Sequence, residues 1–264
     1  MRGAGLIHAW IRAIRTDRAK SVDGFRGWII PDPGRIPCTE WRLVGIAALA
    51  LMPAVAAAQA MPPLDGCTPV YTVEHRACQI THLYRCEAGD QSFWRLDEIT
   101  GGVEPGTSVE LRSADGDILG LWNKETGPVL LEMLENRDPF SVSDLRSEGF
   151  DVMDQRARMR YGRMPEMTVD LNAESRLTGE RVEIDGTVFE RTLTTGTMTM
   201  PQGVMALAAQ EYLDTELGVM LTGDVETRMG QRSSTAPAEP VRIAREGDAR
   251  FLAPFPILDC GEES

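Results

Sequence analysis

The stretch RVEIDGTVFERTLTTGTMTM, residues 181–200, decides the fold. Asp185-Gly186 stands between two runs rich in β-branched residues. A two-residue hairpin link needs positive φ at both central positions, which Asp-Gly supplies cheaply. Threonines at 192, 194, 195, 197 and 199 stiffen the second run and suit a pleated, half-buried surface. Residues 175–184 and 187–200 are therefore expected to pair antiparallel.

The same pattern recurs outward. Asp115-Gly116 links SVELRS (108–113) to ILGLW (118–122), and EAGD (87–90) links CQITHLYRC (78–86) to SFWRLDEI (92–99). CQITHLYRC and SFWRLDEI alternate with a period of two, as half-buried strands do. VYTVE (70–74) and MTVDLN (167–172) read as further strands, and GVMLTGDVETR (218–228) as a strand pair or a bulged strand. VMALAAQEYLD (204–214) fits helix by composition and strand by position. SSTAPAEP (233–240) reads as a flexible loop. Helices are expected in the middle. PVLLEMLENR (128–137) carries Val129, Leu130, Met133 and Leu134 on one stripe before Pro139. Ser141 with Asp144 three residues later resembles a capping box that Gly149 closes. DVMDQRARMR (151–160) is ambiguous. The expected class is mainly β: a large curved antiparallel sheet, an open or half barrel, covered by two or three short helices, because a sheet with one apolar face must bury it.

Residues 43–58, LVGIAALALMPAVAAA, carry no charge, follow Arg42 and end in Ala58-Gln59-Ala60. A bilayer crossing wants about 20 apolar residues, so 43–60 reads as a secretory signal peptide cut after Ala60. Residues 1–42 are an atypical extension, read as a mis-assigned start, an extended targeting segment or part of a retained signal anchor. The expected domain is residues 61–264. Removing the eight basic and four acidic residues of 1–60 from the totals of 27 and 40 leaves 19 against 36, a formal charge of −17. Such a surface repels a phosphate backbone and argues against nucleic-acid partners. No apolar run after residue 60 is long enough to span a membrane.

Four cysteines follow the signal segment: Cys67, Cys78, Cys86 and Cys260. An even count in an exported chain points to disulfides. HRACQITHLYRC (75–86) also places His75, Cys78, His82 and Cys86 at metal-like steps. On one helix, however, eleven steps span roughly 16 Å, too far for four ligands of one ion. The composition favours a strand, on which Cys78 and Cys86 stand roughly 27 Å apart, so they cannot bridge each other. A fold-back within CTPVYTVEHRAC favours 67–78 with 86–260, while 67–86 with 78–260 survives the same test. His75 is expected at the surface and His82 packed or hydrogen-bonded.

The chain carries no G-x-S-x-G, H-E-x-x-H, C-x-x-C or phosphate-binding glycine loop. Asp115/Asp117, Asp144/Glu148 and Asp151/Asp154 read as solvated turn residues rather than calcium ligands. No catalytic residue, metal or cofactor is assigned. Trp94, Trp122, Tyr161, Phe189 and Tyr212 read as core, and the many methionines as core filling or the lining of an adaptable apolar groove.

TGERVEIDGTVFERTLTTGT (178–197) followed by QEYLDTELGVMLTGDVETR (210–228) resembles the sheet of periplasmic half-barrel proteins of the lipoprotein-carrier type and their uncharacterised relatives. The matches are Gly179, Gly186 and Phe189, then Tyr212, Asp214, Leu217 and Gly218. The four cysteines depart from that pattern. The resemblance implies a curved sheet whose concave face holds an apolar ligand or a partner segment, here along Phe189, Met198, Met200, Tyr212, Leu217 and Met220. The expected function is a periplasmic, non-catalytic binding or envelope-maintenance role, with an apolar ligand or envelope protein as partner. The alternative is a periplasmic hydrolase of unfamiliar type with a polar site near His82.

Overall fold

The structure is a computed structural model that describes residues 64–101, 106–124, 127–161, 165–258 and 260. The signal segment and the extension before it lie outside the described residues. Thirteen strands form one antiparallel sheet in the order β12-β11-β10-β9-β8-β7-β6-β5-β4-β3-β2-β1-β13. They are β1 (Cys67–His75), β2 (Gln79–Ala88), β3 (Gln91–Thr100), β4 (Gly106–Ser113), β5 (Ile118–Asn123), β6 (Gly127–Asp138), β7 (Phe150–Tyr161), β8 (Met167–Ile184), β9 (Thr187–Met200), β10 (Gly203–Asp214), β11 (Met220–Met229), β12 (Arg232–Ala236) and β13 (Pro240–Ala244). The expected large antiparallel sheet is present. The 185–186 hairpin is in place, with Ile184 opposite Thr187 and positive φ at Asp185 and Gly186.

The two edge strands, β12 and β13, are neighbours in sequence. Four steps from Ala236 to Pro240 reach at most about 14 Å, so thirteen strands must curl until their edges nearly meet. Side chains and one linker residue bridge that seam. The Ala238 N–H donates to Asp224 Oδ1 on β11 at 2.9 Å, while its carbonyl accepts from His75 Nδ1 on β1 at 2.8 Å. The free edge of β13 is occupied where the Ile243 N–H donates to Asp185 Oδ2 at 2.8 Å.

Several expectations need correcting. Residues 128–137 are not helical. Within β6, Val129, Leu131 and Met133 turn inward while Leu130, Glu132 and Leu134 are exposed, a period of two. Its Leu, Glu and Met composition favours helix in isolation, but the β7 ladder overrides propensity. Residues 151–160 form β7 for the same reason: Met153, Ala157 and Met159 are buried between exposed arginines. Residues 204–214 are strand. The segment 233–240 holds β12 and the start of β13 instead of a loop. Among the described residues one helix exists, α1 (Val142–Glu148), where two or three were expected. It is capped as anticipated: Ser141 accepts from the Asp144 N–H, and Gly149 closes it at φ 82°.

The disulfides are Cys67–Cys86 and Cys78–Cys260, the pairing the fold-back argument ranked second. The chain turns at Arg76–Cys78 itself, so Cys67 lies directly opposite Cys86 on the β1–β2 ladder and Cys78 is left at the turn.

Two apolar clusters fill the molecule. The larger joins β5 to β11 and α1, and the smaller joins Tyr71, Val73, Leu83, Trp94, Phe189 and Tyr212 to their neighbours. Gly196 permits the close approach of β8 and β9, because a Cβ there would sit 2.6 Å from the Asn172 carbonyl oxygen.

Candidate binding site in the sheet wall

The β5–β6 ladder is short. It pairs Leu121 with Val129, Trp122 with Pro128 and Asn123 with Gly127, and then stops. The two chains meet again where the Val142 N–H donates to the Asp115 carbonyl at 3.2 Å. Six steps of chain separate Asp115 from Leu121 and thirteen separate Val129 from Val142. β6 therefore runs on past the β5 ladder from Leu130, with two bulges against β7, after Met133 and after Asn136, bending it. The unpaired stretch between residues 115–121 and 129–142 is the window of the sheet wall.

Behind the window lies the larger apolar cluster. It contains Met153, Met159, Met198, Met200, Met205 and Met220 buried, with Met133, Met167 and Met229 packed against them. These soft, unbranched side chains can repack around an incoming group. Leu131 and Met133 stand half-buried at the β6 side of the window, and Ile118 is buried at the β5 side. On β7, the next strand of the sheet, Gln155 stands opposite Asn136 and is 0% exposed. Its amide donates to Asn136 Oδ1 at 2.9 Å, but its Oε1 has no partner. A buried unsatisfied acceptor costs about 1–3 kcal/mol, so it marks a place where a donor belongs.

Helix α1 closes one end of the cluster with Val142 and Leu145. Acidic side chains hold it. Asp115 Oδ1 accepts from the Ser143 N–H at 2.9 Å and Oδ2 accepts from the Ser141 hydroxyl at 3.1 Å. Asp151 Oδ2 accepts from the Ser141 N–H at 3.0 Å. Burial pushes the Asp151 carboxyl up to about 6. Asp138, Asp144 and Asp115 add to the rise, and the Ser141 bond opposes it. Two of the acids read as solvated turn residues, Asp115 and Asp151, thus act as helix anchors. Among the described residues no group of three or more His, Cys, Asp or Glu is placed to hold a metal ion.

The six residues expected to line a groove divide between the clusters. Met198, Met200 and Met220 are buried in the larger one, Phe189 and Tyr212 are buried in the smaller one, and Leu217 packs half-buried against the latter. Leu217 borders a half-open cleft of about 220 Å³ at the end of the sheet, with Arg85, Phe93, Trp94 and Glu216. The residues of the window itself, Leu131, Met133 and Gln155, were missed. Reading 128–137 as helix hid the alternation of the first two, and nothing in the sequence marks where a ladder splits.

Two polar clusters remain. Inside the sheet, Arg112 reaches from β4 to the seam. Its Nε donates to Glu110 Oε1 at 2.6 Å and its Nη1 to the Met220 carbonyl at 2.8 Å. Burial opposes its charge, but Glu110, with Glu211 and Glu98, raises Arg112 above the ordinary guanidinium value. Burial also raises the Glu211 carboxyl, and Glu110 repels it further, while the Thr194 hydroxyl and Arg112 pull it back. His75, expected at the surface, is 1% exposed beside this layer. Its Nε2 lies 3.0 Å from the Thr81 hydroxyl.

On the outer face, residues 248–258 cross β1 to β3 as a strap, which the Cys260 disulfide ties to Cys78. The Leu252 N–H donates to Thr72 Oγ1 at 2.9 Å, and that hydroxyl lies 2.9 Å from His82 Nδ1. The Arg250 guanidinium pairs with Glu74, and the Cys78 N–H donates to the Leu258 carbonyl at 3.0 Å. His82 also makes a backbone hydrogen bond with Ala253. Burial lowers its pKa, against the pull of Asp97 and of that bond. Burial pushes the Tyr84 hydroxyl up to about 12, with Asp97 adding to the rise.

No protein-family description, curated protein or solved structure matches the chain. Among the described residues no helix is long and apolar enough to cross a membrane.

Proposed function

We propose that the protein is an exported, non-catalytic binding or envelope-maintenance protein that takes an apolar ligand or a partner segment through the β5–β6 window. The single observation carrying this reading is the short β5–β6 ladder, which leaves β6 unpaired from Leu130 beside a methionine-rich apolar cluster. The signal-like segment at 43–60 and the two disulfides support export to an oxidising compartment. The resemblance of 178–228 to carrier sheets supports a concave-side ligand. The test is native mass spectrometry of the purified chain with a fluorescent fatty-acid analogue and short apolar peptides. Saturable binding that Met133→Asp abolishes is expected. A chain that binds neither probe has no such site.

The hydrolase reading has one observation in its favour: Thr72, Asp97, Tyr84 and Arg95 surround His82. Against it, Thr72 and Ala253 already engage the imidazole and the strap covers it. A general base needs reach to its substrate, so the strap would have to leave first.

A further inference from the structure

We infer that the occupant of the window is an extended apolar segment of a partner polypeptide, flanked by basic residues, that adds as a strand to the open edge of β6. This rests on the window being the binding site and names what enters it. The first argument is hydrogen bonding. From Leu130 onward the β6 edge facing β5 has no ladder partner among the described residues. An acyl chain would cover those backbone N–H and C=O groups without satisfying them, whereas a polypeptide strand pairs with them as it docks.

The second argument is side-chain direction. Leu131 and Met133 point to the apolar cluster while Leu130 and Leu134 are exposed at 43% and 40%. A strand added beside them sends every second side chain into the same interior and the others over the exposed leucines.

The third argument is that the other edges are closed. β12 is short and polar, reading RSSTA, with Pro237 beside it. The outer edge of β13 is taken up by Asp185. β6 therefore offers the apolar edge. Its bulges after Met133 and Asn136 confine regular pairing to Leu130–Met133 and set the docked core at about four to six residues. The chain carries a net charge of −13, so basic flanks on the segment are drawn in and acidic ones repelled.

The experiment uses the full chain and three fluorescent probes. They are the peptide Lys-Lys-Val-Thr-Val-Thr-Val-Lys, the same peptide N-methylated at alternate residues, and a fatty-acid analogue. Binding is read by anisotropy and the docking edge by amide hydrogen exchange. The unmodified peptide is expected to bind and to slow exchange across Leu130–Met133, and N-methylation to weaken it by about tenfold or more. Met133→Asp should abolish binding with the far-UV circular dichroism unchanged, and Ser233→Asp on β12 should leave binding intact. Equal binding of the N-methylated peptide, or protection on β12 instead of β6, overturns the inference. Binding of the fatty-acid probe alone also overturns it while leaving the window as an apolar-ligand site. Binding of no probe ends both readings.

Discussion

Asp151 holds the helix that closes the apolar interior, and it does so with a carboxyl raised to about 6, chiefly by burial. An acid whose folded pKa is raised binds its proton more tightly folded than unfolded. Its contribution to stability is complete below the unfolded value of about 3.9 and is lost as pH rises through about 6. Asp151→Asn keeps an acceptor for the Ser141 N–H and removes the charge. The variant should be at least as stable as the parent at pH 7.5, with a flatter profile between pH 4 and 6. Urea denaturation in half-unit pH steps checks this, and an unchanged slope would assign the inflection to another group. Gly223 is decided by space instead of charge. A Cβ there would lie 2.6 Å from the Tyr212 ring and 2.7 Å from the Gln210 carbonyl oxygen. Gly223→Ala should cost about 1–3 kcal/mol through overpacking, read as a lowered urea midpoint with an unchanged m-value.

At the level of elements, turn chemistry was legible and pairing partners were not. Asp185-Gly186, Asp115-Gly116 and the Ser141–Gly149 caps announce their structures because local backbone geometry demands those residues. β6 was misread because its residues satisfy both periods, and the choice belonged to β7, which sequence alone does not place beside it. The cysteine pairing failed for a related reason: the turn falls on Cys78, so the residue that seemed free to fold back is the pivot. The resulting Cys78–Cys260 bond pins the strap across 182 residues of sequence. Breaking it with Cys260→Ser, together with Cys78→Ser, should cost about 2–5 kcal/mol. It should also raise exchange of the Leu252 and Cys78 amides before the rest of the sheet. His82 gives the strap a pH dependence of known sign. Burial lowers its folded pKa below the usual value of about 6.5, so its contribution is present above that value and is lost as pH falls through the folded one. Strap protection should therefore weaken on acidification below about pH 6.5, and an NMR titration of His82 alongside hydrogen exchange checks it. Strap amides that stay protected down to pH 4 would remove His82 from the latch.

The whole molecule poses the problem of ending a thirteen-strand sheet whose edges come together without a ladder between them. Side chains do that work, and Arg112 is the longest reach among them, crossing from β4 to the Met220 carbonyl at the start of β11. Its surroundings are costly: Glu98, Glu110 and Glu211 are buried with it, at 6%, 0% and 3% exposure. Three carboxyls against one guanidinium cannot all ionise cheaply in a dry interior, and the raised Glu211 carboxyl is where a proton best stays. That asymmetry makes opposite predictions for two substitutions in one network. Arg112→Leu removes the sole cation among these four groups and frees the Met220 carbonyl, so it should destabilise by about 3–5 kcal/mol at neutral pH. Much of the loss should return on acidification, because Glu211, whose carboxyl burial already raises, then protonates. Glu211→Gln keeps an acceptor for the Thr194 hydroxyl, which lies 2.5 Å from the carboxylate, and removes a charge that burial already disfavours. It should be neutral or stabilising above pH 6 and without effect near pH 4. Denaturation curves of both variants at pH 4 and pH 8 decide the matter. If Arg112→Leu costs the same at both, Arg112 acts by packing alone and the seam is not held by charge.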